Sequence, residues 1–179
     1  MADEEESGGS GRWAGESRRS RTFAVALVTI YIGSLLLIYV GAPNQPIDVF
    51  PTECPENSQN CTRLAPNPYR GDNMSELRFN ASKEEVFAAA LAWIESEPRT
   101  LVLTESEQVG YIHSVFRSFV FRFPDDLLVH VHCDNGQAGV WIHSQSRIGV
   151  YDLEVNNKRV AALREHLESQ QWESDNCTV

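Results

Sequence analysis

The chain alternates between three kinds of pattern, and the first is a block of unbroken apolarity. Thr22 to Val40 (TFAVALVTIYIGSLLLIYV) carries no charge. At 1.5 Å of rise per residue it makes a helix of about 28 Å, close to the hydrocarbon thickness of a bilayer. Helical spacing governs the stretch after Ser82. Val86, Phe87, Ala90, Leu91, Trp93 and Ile94 form one apolar face, Ser82 and Glu85 form a capping box, and Pro98 ends the run. From Arg99 to Ser146 the period changes to two. It predicts a short strand around Leu101 and Leu103, then strands over 110–118, 127–133 and 140–146. Asn135-Gly136 is the strongest short hairpin signal in the chain, since both residues tolerate positive φ. With that pair at the turn, Val131 faces Val140, Val129 faces Ile142 and Leu127 faces Ser144, which gathers an apolar set on one side. Asn156 then reads as the N-cap of a last helix, with Val160, Leu163 and Leu167 at i, i+3 and i+7. The predicted fold is a two-layer α+β domain in the order αββββα, with a four-stranded antiparallel sheet and both helices on one face, preceded by one transmembrane helix.

Flanking composition fixes the remaining boundaries. Residues 1–21, rich in Gly, Ser and charge, read as a disordered cytoplasmic tail. Residues 22–40 form the membrane span, 41–71 a Pro- and Asn-rich arm, 72–170 the folded domain, and 171–179 a flexible tail. Arg12, Arg18, Arg19 and Arg21 precede the apolar run, and the next basic residue is Arg63. By the positive-inside rule the N-terminus stays in the cytoplasm and the C-terminal domain lies outside the cell membrane. The small residues at Val40-Gly41-Ala42 would suit signal peptidase, but the apolar core exceeds the usual ~7–15 residues, so a retained single-pass anchor is expected.

A net charge of −10 argues against nucleic acid and against an anionic lipid surface as partner, because both reward clustered Lys and Arg. Lys83 and Lys158 are the lysines among 15 basic residues, a bias shared by proteins of high-salt cells and by chains from GC-rich genomes. All four cysteines follow the span, where disulfides persist. Cys54 and Cys61 bound a short loop (CPENSQNC), and a bridge there would contribute roughly 2.5 kcal/mol. Cys133 and Cys177 are expected as free thiols; they pair only if the tail returns to the sheet. Asn60, Asn73, Asn80 and Asn176 each begin an N-x-S/T sequon on the outer side.

Two groups invite a ligand reading. Strand alternation sets His130 and His132 on one face, and the hairpin register sets His143 diagonally beside them, around Trp141. Imidazoles so spaced are a candidate zinc or copper site, and the plainer reading is a polar solvent face; no cofactor is predicted. His113 joins that face if its register allows. Phe116, Phe119, Phe121 and Phe123 read as core, with an apolar groove for lipid as the alternative. Nucleophile elbows, Gly-rich phosphate loops and His-Glu-x-x-His are absent from the sequence.

One further segment is a signature. Ser146-Arg147-Ile148-Gly149, Asp152, Asn156 and Arg159 fit the pattern S-R-x-G-x-x-D-x-x-x-N-x-x-R. Together with Phe123-Pro124-Asp125-Asp126 and the Cys54–Cys61 stretch, it resembles the domain-of-unknown-function 1499 family over roughly residues 54–168. The resemblance implies membrane or envelope association and supplies no reaction. In physical terms, Gly149 permits a turn, Asp152 binds backbone N–H groups, Asn156 caps the helix, and Arg147 and Arg159 hold Asp152 or Asp125. The functional alternative is that the two arginines form an anion-binding pocket beside Asp152. The resulting expectation is a membrane-anchored, non-catalytic binding or scaffolding module in the cell envelope, whose partner is an envelope protein or a small ligand. A metal-dependent protein and a carrier of small apolar molecules are the alternatives.

Overall fold

The computed structural model describes residues 10–71, 74, 76–174 and 176–178, with side chains from residue 18 onward. The chain divides at the Gly41–Ala42 bond into two units.

The first unit is one helix, α1 (Ser10–Gly41). Its segment Arg18–Gly41 has a mean hydropathy of 2.4 and is long and apolar enough to cross a membrane or to act as a signal sequence. Thr22 and Thr29 donate their hydroxyls to the carbonyls of Arg18 and Val25, so neither hydroxyl is left unpaired along the apolar stretch. Helix also takes in Ser10–Arg21, which composition assigns to a disordered tail. Helix propagation is cooperative, and the Arg, Ala and Glu content of that segment lets it extend from the apolar run.

The second unit runs in the order β1 (Cys61–Leu64), β2 (Leu77–Phe79), α2 (Lys83–Ser96), β3 (Thr100–Ser106), β4 (Tyr111–Arg117), β5 (Pro124–Asp134), β6 (Gln137–Ser146) and α3 (Val155–Glu168). The sheet is antiparallel with six strands, ordered β1-β6-β5-β4-β3, with β2 also paired to β6. The four expected strands are present, and β1 and β2 correct the count. Each is too short for a period of two to show, and both lie end to end on the free edge of β6. The hairpin register is the expected one: Val131↔Val140, Val129↔Ile142 and Leu127↔Ser144. Across β3–β4, Gly110 has φ +76°, and a Cβ there would collide with the Val131 carbonyl, so only glycine closes this turn.

Both helices cover one sheet face. Val86, Phe87, Ala90 and Ile94 of α2 and Val160, Leu163 and Leu167 of α3 pack on Leu127, Val129, Val131, Val140 and Ile142. The capping box at Ser82 and Glu85 is formed. The opposite face is covered as well. The Pro-rich arm lies across it, where the Ile47 N–H donates to His113 Nδ1 at 2.9 Å and Phe50 packs against Trp141. The C-terminal segment is likewise held rather than loose. Trp172 packs on Phe79, Ser174 bonds Glu85, and Cys177 joins Cys133. The expectation of free thiols at Cys133 and Cys177 is thus corrected, because the tail does return to the hairpin, where the Cys177 N–H donates to the Gly136 carbonyl. Cys54 and Cys61 form the second disulfide.

Candidate functional site

The signature residues meet at one end of the sheet, where β6 passes into α3. Asn156 is fully buried and is the hub. Its Nδ2 lies 2.9 Å from the Asn60 carbonyl, 3.0 Å from Ser146 Oγ and 2.7 Å from Asp152 Oδ2. Its Oδ1 accepts from Arg159 at 2.7 Å and lies 2.6 Å from Ser144 Oγ. Asn156 is not the cap, because α3 begins at Val155 and its N-cap position is Glu154, whose side chain makes no capping bond. From two residues before that position, the Asp152 carboxylate accepts the N–H groups of Glu154 at 3.1 Å and Asn156 at 2.9 Å. The shift arises because the chain makes its turn early, with Gly149 at φ +91° and Leu153 and Glu154 both left-handed.

Asp125 and Asp126 are neighbours in β5, so strand alternation sends them to opposite faces. Asp125 pairs with Arg159 on the helix side at 2.9 Å. Asp126 takes both forks of Arg147, Nε at 2.9 Å and Nη2 at 2.6 Å, on the arm side. The two arginines thus stand on different faces, and the partner of Asp152 is Arg70 at 3.6 Å. Arg147 does not reach Asp152 or Asp125 in this geometry, and no shared anion pocket joins the two guanidinium groups. His113 completes the Asp126 cluster at 2.7 Å. Because His113 Nδ1 accepts from the Ile47 N–H, its proton sits on Nε2 and points at Asp126. Burial alone would push the Asp126 carboxyl up, but the hydrogen bonds from His113 and Arg147 hold it below its ordinary range. Sequence reasoning missed Asn60, Arg70, His113 and Phe50 as partners. Only the adjacency of two aspartates at a strand start signalled that their side chains would part.

His130 and His143 lie beneath the arm, where both rings meet Phe50, and not on a solvent face. His130 and His132 are half-buried and stacked, with ring centroids 5.7 Å apart. The ring of His132 lies directly over Gly139, where a Cβ would come within 2.6 Å of Nε2. His143 is buried, with Nε2 at 3.2 Å from Gln145 and 3.6 Å from Cys61 Sγ. Burial pushes His143 down to about 4, and burial also lowers His130 and His132. Among the described residues, the donor atoms that gather three together within 4.8 Å belong to Cys54, Cys61 and His143. Both sulfurs are joined in the disulfide, so that set does not ligate a metal, and the three histidines do not converge. Of the sequons, Asn73 lies outside the described residues, Asn80 and Asn176 are exposed, and Asn60 is buried with its amide on the Gly149 carbonyl at 2.5 Å. A sugar at Asn60 would displace that bond.

Open space adjoins the hub on the helix side. A cleft of about 720 Å³ lies between the end of α2, the start of α3 and the β4–β5 and β6–α3 loops. Trp93 and Phe116 line it beside the Asp125–Arg159 pair, and the Arg159 guanidinium stacks 4.5 Å over the Phe116 ring. Phe119, Phe123, Ile148 and Leu153 stand at its mouth. Of the four phenylalanines expected in the core, only Phe116 is buried; the other three are exposed, because residues 118–123 turn instead of continuing the strand. The arrangement offers a largely apolar cleft with the Asp125–Arg159 pair in its wall and further charged side chains, among them Glu97, Arg99 and Lys158, along its lining.

Residues 52–167 match the family described as a protein of unknown function, DUF1499. The chain belongs to this family. No curated protein matches the chain. The DUF1499 segment contains the whole sheet and both covering helices but stops short of Cys177 and starts after Phe50. Ile47 and Phe50, which cover the histidine face, and Cys177, which ties the tail, lie outside the matched residues.

Proposed function

We propose that this DUF1499 protein is a single-pass membrane protein whose domain from Ala42 onward lies outside the cytoplasm and binds a small apolar or amphiphilic molecule without transforming it. The cleft carries this reading: it has the volume of a small-molecule site, mostly apolar walls, and charged groups that include the buried Asp125–Arg159 pair to orient a ligand. Chemistry is disfavoured by the way the titratable groups are used. Both His113 nitrogens are engaged, Asp126 is bidentate to Arg147, and Asp152 is occupied by backbone N–H groups. The positive flank before the apolar helix and the two disulfides support the exported placement.

Native mass spectrometry of the full chain, released from membranes in mild detergent, tests the binding role. A bound small molecule is expected, with occupancy reduced several-fold in Phe116→Asp or Phe123→Asp. A polypeptide mass with nothing bound, across preparations from its own membrane, would remove the reading.

A further inference from the structure

The exposed apolar residues of the domain are concentrated at one end of the sheet. Phe116, Asp125 and Ser146 are aligned across β4, β5 and β6, so the loops after Arg117 and Ser146 leave from the same edge. Phe119, Val120 and Phe121 project from the first loop, and Ile148, Val150 and Leu153 from the second. Phe119 is 78% exposed, Val150 84% and Leu153 71%. Leu153 also holds φ at +54°, a conformation that costs a non-glycine residue, yet it presents its side chain outward and not to the core. A contiguous apolar set on a folded domain marks a contact surface.

What covers it follows from where the chain enters the domain. Arg147 donates to the Pro43 and Gln45 carbonyls, and Arg117 donates to Asn44 Oδ1 at 2.6 Å. Those two arginines sit where the two loops begin, so residues 43–45 are pinned to the apolar end. Gly41 is the last residue of the apolar helix. From Gly41 to Pro43 the chain spans at most about 7 Å, no more than the headgroup layer of one leaflet. If the helix crosses the bilayer, the apolar end of the domain is held at the bilayer surface.

We infer that the β4–β5 and β6–α3 loops insert into the interfacial region of the adjacent leaflet, and that the cleft between them opens onto phospholipid. This inference rests on the anchor reading proposed above. The chemistry of the rim fits a lipid surface. Phenylalanine, valine and leucine enter the acyl boundary, while Arg122 and Lys158 supply cations for lipid phosphates. The acidic side chains of the second loop are turned away or paired: the Asp152 side chain is 2% exposed, and Glu154 meets Arg70 at 2.6 Å. The cleft thereby receives its ligand from the membrane and not from bulk water.

Photo-cross-linking of the full chain in zwitterionic phosphatidylcholine nanodiscs tests the inference. Benzoylphenylalanine is placed in turn at Phe119, Leu153, Val109 and Leu36. Val109 is exposed at the opposite end of the sheet, in the β3–β4 turn, and Leu36 lies within the apolar helix. Lipid adducts about tenfold more abundant at 119 and 153 than at 109 are expected, with strong adducts at 36. Adducts at 36 but none above the Val109 level at 119 and 153 would overturn the rim while leaving the anchor standing. Absence of lipid at 36 would remove the anchor and the rim with it. Protein–protein adducts at 119 or 153 would reassign the surface to a second polypeptide. Val150 replaces either rim position if a variant fails to form both disulfides.

Discussion

His143 shows how one buried side chain sets a pH dependence for the whole domain. It is enclosed by Phe50, Arg63, Cys61 and Gln145, with Asp126 also within electrostatic reach. Burial, the dominant cause, and the Arg63 charge both disfavour its imidazolium form, which moves it from 6.5 to about 4. The unfolded chain therefore binds this proton first as pH falls, and stability drains away between those two values. The cost reaches about 3 kcal/mol by the lower end of the window. His143→Asn is expected to flatten this limb in denaturant titrations at successive pH values; a variant profile parallel to the wild type would refute the assignment. Asp126 acts with the opposite sign. Its lowered carboxyl contributes stability above the ordinary carboxylate range and loses it as pH falls below. None of this was readable from residue identity. Sequence alternation placed His143 on a face, but the arm that buries that face comes from nearly a hundred residues upstream.

Elements were legible where their signal is local. The capping box of α2, the Asn135-Gly136 turn and the register it imposes depend on residues within a few positions of one another, and all three are present. Elements whose position depends on a distant partner were not legible. β1 and β2 are short segments that become strands because β6 offers an open edge. Ser118–Phe123 continues an alternating pattern, yet it turns, with Arg122 at φ +60°. The C-terminal segment is polar enough to read as loose, and its contacts with Phe79, Ser82, Glu85, Cys133 and Gly136 hold it. The Cys133–Cys177 bridge spans 44 residues, for which chain entropy gives about 4 kcal/mol. Cys133→Ser with Cys177→Ser is expected to lower stability by up to that amount and to release residues 169–178 to rapid amide exchange. Unchanged exchange there would show that Trp172 and Ser174 hold the tail unaided.

At the scale of the molecule, the placement of the domain governs everything else. A reporter fused after the last residue, active only in an oxidising compartment, is expected to be active, and a fluorescent reporter that matures only in the cytosol to stay dark. The reverse pattern would withdraw the exported placement and with it the lipid-facing rim. Composition and periodicity alone determined that there is an apolar helix of membrane length, a following α+β domain and the register of its central hairpin. These are consequences of side-chain polarity repeating at 3.6 or 2.0 residues, which any reader of the chain can count. Only the tertiary structure decided that Asp125 and Asp126 serve different arginines, that the arm covers His113, His130 and His143, and that Phe119, Phe121 and Phe123 face outward. Those outcomes turn on which surfaces meet after chain segments far apart in sequence close on each other, and no local pattern encodes that meeting.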